Sequence, residues 1–588
     1  MPRQRSYTSA DGKSRTLNSS FFNKQYKSLK TYIRSTGSHP VLNSESGSAT
    51  IPVVSGSPGA QTLKKGVYLQ DDNGKIISLT KSRKHNHTDG SKVILDSKSR
   101  LILDLSSLGL VNLSSDIGIL GDLIELFLYD NKLTSLPPEI GLLQNLQRLW
   151  LQENSLTVLP DELSCCSKLT HLDVRHNRLE GCIPSVLTRL TSMKQLYLTY
   201  NKLTDISSVG NLCYLQTLVV KSNQLQGPIP DCIGNLTQLR TLDLSKNRLT
   251  KITENISNCK LLSRFLVDYN QIDELPKSIG QLTELTVLGL KYNYLTELPD
   301  EICNCEKLTE FNIEGNHVKQ LPENLLCNFK DSTSVILSRN DFTSFPSGDN
   351  AQYKNVKHFN MDYNHLESFE ASLFSENTQL TTLKLCNNNI MSLDFKGIEN
   401  LKHLVELDLS YNQIDQLPDS IGELVFLEVL DLTSNRLEAL PNRISELVNL
   451  VHLELECNQI ASIPLTIGQL NQLQVLNLDV NNLSRLPTTI GNLSNLKKLK
   501  LRENLIQRLP SEIGKLKNLT HLYLANNKPL DLLPIELGIL PNLRYLSIDG
   551  CNLRQMPQEI TKNGSAFVIK YLRDLLCVHS RICQNPSA

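Results

Sequence analysis

The stretch "LVELDLSYNQI" at residues 404–414 contains the phrase that decides the fold of this 588-residue chain. Leucines at its first, fourth and sixth positions are followed by an asparagine at the ninth, and the residues between them are mostly polar. The phrase occurs early, as "LIELFLYDNKL" at 123–133, and late, as "LQVLNLDVNNL" at 473–483. It returns from residue 101 onward at steps of 22–24 residues, which gives 20 units. Such self-similarity predicts stacked repeats rather than one globular core.

The spacing is that of the leucine-rich repeat, in which each unit supplies one short strand and one return segment. The leucines of successive units form a continuous core that no single unit could bury alone. We therefore predict an α/β solenoid over residues 96–561, a leucine-rich-repeat horseshoe of about 20 repeats with a concave parallel β-sheet. An inward asparagine has two donors and an acceptor, so it is expected to bond backbone groups of neighbouring units. Leu108 and Cys551 take its place in the end units.

The two ends of the chain differ from the repeats. Residues 1–95 hold 15 Lys and Arg against 5 Asp and Glu and few apolar clusters, which predicts a basic, mostly disordered tail. Residues 562–588 are expected to form a capping helix and a short tail. The apolar residues expected to cover the open end of the core are Phe567, Ile569, Leu572 and Leu576.

Composition and motifs argue against several classes of protein. The start of the chain has no apolar signal segment, and the chain has no apolar run of 18 residues, so we expect a soluble intracellular protein with no direct membrane insertion. The 14 Cys lack zinc-site spacing, and we predict no metal and no cofactor. No phosphate-binding, hydrolase or kinase signature is present, and an open sheet offers no enclosed pocket, so we do not expect an enzyme.

The residues between the leucines project onto the concave face. In the early units these positions hold aromatic and charged side chains together, a composition typical of protein-binding hot spots. The candidate contacts among them are Tyr129, Trp150, Glu153, Asp173, Arg175, His176, Tyr197 and Lys221. His171 lies on the same face but is not among these candidates. In the later units the same face turns acidic, which disfavours nucleic acid as a partner. For any single position, a solvated surface residue is the alternative interpretation.

The predicted face is long enough for more than one protein. Twenty strands at a spacing of about 4.8 Å give an arc of roughly 95 Å. A globular domain of ordinary size spans about 40–50 Å, so two could lie side by side. The sequence therefore favours a protein-interaction scaffold.

The irregular units resemble those of the Shoc-two (suppressor of clear) family of leucine-rich-repeat Ras–Raf scaffolds. That family has a basic tail, 20 short repeats and a small helical end. The resemblance covers about residues 98–576. It is sharpest at "LDVRHNRL" with "IPSVLTRL", at "FPSGDNAQYKNVKHFNMDYN", at "LANNKPLDLLPIELG" and at "GSAFVIKYL".

The resemblance implies a non-catalytic scaffold. Its concave face joins a GTP-loaded, M-Ras-like GTPase to the catalytic subunit of protein phosphatase-1, and the complex dephosphorylates Raf kinase and promotes Ras–MAP kinase signalling. The implied location is the cytoplasm and the nucleus, with recruitment to the membrane through the GTPase. The candidate contacts that match the family are Tyr129, Glu153, Asp173, Arg175, His176 and Glu456, with Lys221 in place of an arginine.

The tail carries a weaker version of a family feature. Family members can have a phosphatase-docking V-x-F phrase before the repeats, and "KKGVYLQ" offers Val67 with Leu69 in the aromatic position. A disordered linker is the alternative for this stretch. For the whole chain, the alternative function is another intracellular Ras-group leucine-rich-repeat adaptor with a different partner.

Overall fold

The structure is a computed structural model, and the residues it describes all belong to the second of two units, Thr62–Ala588. The described residues are 68–70, 76–78, 92–95 and 101–584, the last range without 324, 329–332, 349–352 and 375–377. Val67, a predicted docking residue, lies outside them. The backbone of Leu69, its predicted companion, lies in the first described strand.

Twenty-nine strands are found in the described ranges, and most are three residues long. In a typical repeat the strand consists of the leucine at the fourth position of the phrase and one residue on either side of it, as in Glu406–Asp408. In chain order they are β1 (Tyr68–Gln70), β2 (Ile76–Ser78), β3 (Lys92–Leu95), β4 (Leu101–Asp104), β5 (Leu123–Phe127), β6 (Arg148–Trp150), β7 (His171–Asp173), β8 (Glu180–Cys182), β9 (Gln195–Tyr197), β10 (Lys202–Asp205), β11 (Thr217–Val219), β12 (Gln226–Pro228), β13 (Thr241–Asp243), β14 (Arg248–Lys251), β15 (Arg264–Leu266), β16 (Val287–Gly289), β17 (Glu310–Asn312), β18 (Ser334–Ile336), β19 (His358–Asn360), β20 (Ser368–Glu370), β21 (Thr382–Lys384), β22 (Ser392–Asp394), β23 (Glu406–Asp408), β24 (Val429–Asp431), β25 (His452–Glu454), β26 (Val475–Asn477), β27 (Lys498–Lys500), β28 (His521–Tyr523) and β29 (Tyr545–Ser547).

One long sheet contains one strand from each repeat, beginning with β4 and ending with β29. Each of these strands pairs in parallel with the strand of the next repeat. This confirms the predicted solenoid of about 20 repeats. Three short parallel pairs, β8 with β10, β12 with β14 and β20 with β22, lie outside this sheet. They occur where the returns are irregular.

The sheet begins earlier than the boundary at residue 96 that the sequence suggested. Strand β3 pairs with β4 in antiparallel register, so the first strand of the sheet comes from the predicted tail. Strands β1 and β2 also form an antiparallel pair within that tail. The sequence missed β3 because "KVIL" lacks the repeat phrase.

The core and its asparagine ladder follow the predicted pattern. Leu172, at the centre of β7, is fully buried, as are the equivalent leucines of most other strands. The side chain of Asn177 donates to the carbonyls of Leu151 and Val174 at 2.9 and 3.1 Å and accepts from the N–H of Leu156 at 2.9 Å. Cys551, in the last unit, replaces this pattern with one Sγ–H bond to the carbonyl of Leu524. The ladder therefore satisfies backbone groups that the strands leave unpaired.

The return segments are mainly single turns of 3₁₀ helix, started by a proline with φ near −70° that cannot extend a strand. In chain order these turns are Ser115–Ile119, Pro138–Leu142, Asp161–Cys165, Val209–Asn211, Asp231–Asn235, Glu254–Asn258, Lys277–Gln281, Asp300–Asn304, Leu325–Asn328, Ala371–Leu373, Ile398–Leu401, Asp419–Glu423, Asn442–Glu446, Leu465–Gln469, Thr488–Asn492, Ser511–Lys515 and Ile535–Ile539. One return holds a short α-helix, α1 (Ser185–Thr188).

Two α-helices, α2 (Gln558–Lys562) and α3 (Ser565–Gln584), close the C-terminal end. Val568 and Leu572 of α3 are buried against the last repeat. Phe567, a predicted cap residue, is instead 54% exposed, because the helix begins at Ser565 and turns Val568 toward the core. The side-chain oxygen of Ser565 bonds both backbone groups of Leu546 in β29, which ties the helix to the sheet edge.

Candidate protein-interaction surface

An aromatic cluster lies on the outer face of β5, β6, β7 and β9, and we define it as Phe127, Trp150, His171 and Tyr197. The Phe127 and Trp150 rings are stacked at 5.7 Å between centroids. His171 lies 4.1 Å from Trp150 and 5.4 Å from Tyr197. The parallel register of neighbouring strands sets this spacing and makes the rings one continuous patch. Tyr129 extends the cluster through an edge contact with Phe127 at 6.4 Å.

Asp173 is not the free surface residue that the sequence predicted. Its side chain is 0% exposed, and Arg175 covers it. The Arg175 Nη2 donates to Asp173 Oδ2 at 2.6 Å, and Nε donates to Oδ1 at 2.9 Å. Asp173 faces the sheet surface in register between Trp150 and Tyr197, and the large rings on both sides bury it. The group exposed at this point of the face is therefore the guanidinium of Arg175, which is 35% exposed and lies over the Tyr197 ring at 5.4 Å.

His171 is a residue of the site that the sequence analysis placed on the face but did not select. It is 7% exposed, and its Nδ1 lies 2.7 Å from Oε1 of Gln195 on the next strand. Burial lowers the pKa of His171, although the Gln195 bond and the Asp173 charge act in the opposite direction. The neutral ring is therefore the stable form at pH 7. Its position two residues before Asp173 in the same strand was the available signal.

His176 and Glu153 lie at the edge of the face, just before the ladder asparagines. His176 has φ 52° and Glu153 φ 59°, a left-handed backbone that recurs at this position of the repeat. The His176 ring stacks on Tyr200 at 4.4 Å. Burial lowers the pKa of His176, while the nearby Glu153 carboxylate raises it. This edge presents polar groups beside the aromatic cluster.

The structure groups most of the predicted contacts and separates one. Lys221 follows β11, the strand next to Tyr197. Glu456 lies beyond β25, about twelve strand spacings from β7, or roughly 58 Å along the sheet. Its carboxylate accepts from Asn477 Nδ2 at 2.9 Å. Glu456 therefore belongs to a second region of the face.

That second region contains an arrangement that the sequence analysis missed. Asp479 is 1% exposed and pairs with Arg502 at 2.6 Å. The Arg502 guanidinium lies 5.3 Å from the ring centre of Tyr523, which packs against Tyr545 at 5.0 Å. A buried Asp, a covering Arg and a Tyr thus recur near both ends of the sheet. Here the arginine belongs to the repeat after that of the aspartate, whereas Asp173 and Arg175 belong to one repeat. The pair therefore cannot be found by comparing the same positions of two repeats.

The middle of the face carries three residues with the donor atoms of a metal site. Ligand atoms of Asp362, Cys386 and Asp408 lie within 4.8 Å of one another. The Asp362 carboxylate already accepts from the Cys386 N–H at 2.7 Å, and burial raises the pKa of the Cys386 thiol to about 11. A thiol protonated at pH 7 is a poor ligand, and three donors are fewer than a closed zinc site requires. We assign no metal to this group.

The sequence matches family models of leucine-rich repeats. A model described as a leucine-rich repeat region matches residues 221–314, 371–480 and 453–559, and a second leucine-rich-repeat model matches 122–179. No curated protein matches the sequence. The matched segments together cover more than half of the chain, and the chain belongs to the leucine-rich-repeat proteins.

Solved structures with the same architecture include proteins from plants and bacteria. The plant peptide hormone receptor RGFR1, in complex with RGF2, is 26% identical over 79% of this chain and 78% of its own, with a TM-score of 0.64. The ectodomain of the Arabidopsis receptor kinase HAESA, with an extended IDA peptide hormone, is 30% identical over 77% and 83%, with a TM-score of 0.54. YopM from Yersinia enterocolitica is 26% identical over 77% and 92%, with a TM-score of 0.55. Such repeats are interaction modules in general.

Within the described residues, every helix is too short or too polar to cross a membrane.

Proposed function

We propose that the chain is a non-catalytic scaffold that joins a GTP-loaded, M-Ras-like GTPase to the catalytic subunit of protein phosphatase-1. The complex removes an inhibitory phosphate from Raf kinase and so promotes Ras–MAP kinase signalling. The scaffold works in the cytoplasm and nucleus, and the GTPase recruits it to the membrane. The observation that carries this proposal is the resemblance of the irregular units, in their order, to the Shoc-two family.

The surface chemistry supports a protein partner at the aromatic cluster. Trp150 and Tyr197 are half-buried rings flanked by the partly exposed guanidinium of Arg175, and such residues dominate the binding energy of interfaces. Two of the related structures, RGFR1 and HAESA, hold a hormone ligand. These points support protein binding in general, and the resemblance supplies the particular partners.

The separation of the two regions of the face supports two partners. The aromatic cluster lies on β5 to β9, whereas Glu456 and the Asp479–Arg502 pair lie near β25 to β27. The roughly 58 Å between β7 and β25 exceeds the width of one small globular domain. A GTPase and a phosphatase can therefore occupy the face together.

Mixing the purified components tests the proposal. The full chain, the phosphatase and the GTPase loaded with a non-hydrolysable GTP analogue are expected to co-elute on size exclusion, and the GDP-loaded GTPase is the matched control. Failure of the GTP form to co-elute would refute the proposal. Co-elution with the GTPase but not the phosphatase would favour the alternative, a Ras-group adaptor with a different partner. Dephosphorylation of a Raf phosphopeptide is expected only when the phosphatase is present.

A further inference from the structure

Two polar ring atoms in the aromatic cluster have no hydrogen-bond partner. Trp150 Nε1 and His171 Nε2 are both shielded from solvent and unpaired. The two rings are neighbours, with 4.1 Å between their centroids. Buried polar groups in native proteins are nearly always paired, and the exceptions call for an explanation.

The two atoms have opposite hydrogen-bonding roles. The indole Nε1–H of Trp150 can only donate. His171 Nδ1 lies 2.7 Å from the amide oxygen of Gln195, which can only accept, so the ring proton resides on Nδ1. Because burial lowers the pKa of His171, the ring is neutral at pH 7 and Nε2 carries a lone pair. A donor and an acceptor, both without partners, therefore lie on two neighbouring rings.

We propose that this pair recognises an uncharged side chain of a protein partner, one with a hydroxyl or a carboxamide group. That group accepts a hydrogen bond from Trp150 Nε1 and donates one to His171 Nε2. The inference rests on the proposed function, because it requires that the concave face binds a protein. A carboxylate cannot donate, and an ammonium or guanidinium group cannot accept, so a charged side chain would leave one atom unpaired. The site thus selects a neutral residue within a face that is otherwise rich in charge.

Access to the two atoms requires movement of side chains only. Phe127 stacks on Trp150 on one side, and Tyr197 flanks His171 on the other. Phe127, Trp150 and Tyr197 are half-buried, so their rings can turn at the surface, while the strands beneath them are held by the parallel ladder. Rotamer changes over a fixed backbone are common when proteins bind.

Trp150 is the only tryptophan in the chain, so a direct probe of the donor is available. The full chain labelled with ¹⁵N-tryptophan gives one indole N–H resonance, and unlabelled GTPase and phosphatase add none. When the ternary complex forms, we expect this resonance to shift downfield and its exchange with water to slow. An unchanged resonance in a sample that co-elutes as a complex overturns this inference alone. Absence of any complex overturns both the inference and the proposed function.

Substitutions separate recognition from folding. Trp150→Phe removes the donor and His171→Leu removes the acceptor, and each is expected to weaken the complex about tenfold. Trp150→Phe should lower the melting temperature little, because it also removes an unpaired buried atom. His171→Leu also loses the bond from Nδ1 to Gln195, so its binding is measured well below its own melting temperature. His358→Leu is the matched control, since His358 holds the same place in its repeat but is exposed and lies in β19, between the two regions of the face. Equal weakening by the control, or lost stability with unchanged binding, would overturn the inference.

Discussion

Replacing Asp173 by asparagine tests whether the face is built on a buried ion pair. Asp173 is fully buried and receives three charged contacts from Arg175, at 2.6, 2.9 and 3.0 Å. Asparagine keeps one acceptor oxygen but turns an N–H₂ donor toward the guanidinium, so at least one charged hydrogen bond, worth about 1.5–3 kcal/mol, is lost. A buried charge that loses its partner typically costs about 3–5 kcal/mol of stability, but the cost is smaller here because Arg175 is partly exposed and can be hydrated. We expect a loss of about 2 kcal/mol.

The assay is a double-mutant cycle followed by urea denaturation of the full chain. Asp173→Asn, Arg175→Met and the double variant are compared, and a coupling energy of about 1–2 kcal/mol is expected for groups in direct contact. The control is Asp243→Asn. Asp243 holds the same place in its repeat and is also buried, but Ser245 stands where Arg175 would be. A coupling energy below about 0.3 kcal/mol, or an equal loss in the control, would refute the reasoning.

Three further predictions concern the fold and its ionisation. Asp362→Asn should stabilise the chain at pH 7, because burial raises the pKa of Asp362 to about 6 and disfavours its charged form in the folded chain. This gain in the free energy of unfolding should vanish as the pH falls from about 6 toward 4. A gain in the urea midpoint that does not change with pH would contradict this. Asn435→Ala removes two donor bonds and one acceptor bond of the ladder and should cost about 2–4 kcal/mol in urea denaturation, whereas the exposed Asn482→Ala should cost little. Gly538→Leu should loosen α3, since a Cβ there would lie 2.8 Å from the Arg573 backbone; unchanged protease resistance of α3 would count against it.

The repeat architecture could be predicted from the sequence because one phrase sets the strand, the core and the ladder together. Leu172 and Asn177 have the burial and bonding that their positions indicate. Strand β3 and the exposure of Phe567 could not be predicted in the same way. Both lie at the ends of the solenoid, where a segment without the repeat phrase packs against the first or the last repeat. The repeat phrase therefore does not predict their pairing or burial.

The residues of the candidate site could be placed on the face, but their burial could not be predicted. Register indicated that Asp173 and Arg175 share the outer surface, yet it did not show that one covers the other. The unpaired atoms of Trp150 and His171 also depend on ring orientation across three strands. Such details arise from side-chain packing between repeats, which the spacing of residues within one repeat does not predict.

The central claim is that partners bind the outer face of the sheet at the aromatic cluster, and a pair of matched tyrosine variants tests it most directly. Tyr197→Ala removes a ring of the cluster, whereas Tyr214→Ala removes an exposed tyrosine that lies outside the sheet. The affinity of each variant for the GTP-loaded GTPase and phosphatase is measured by calorimetry. We expect Tyr197→Ala to weaken binding by at least about tenfold and Tyr214→Ala to leave it unchanged. Unchanged binding by Tyr197→Ala, or equal weakening by both variants, would contradict the claim.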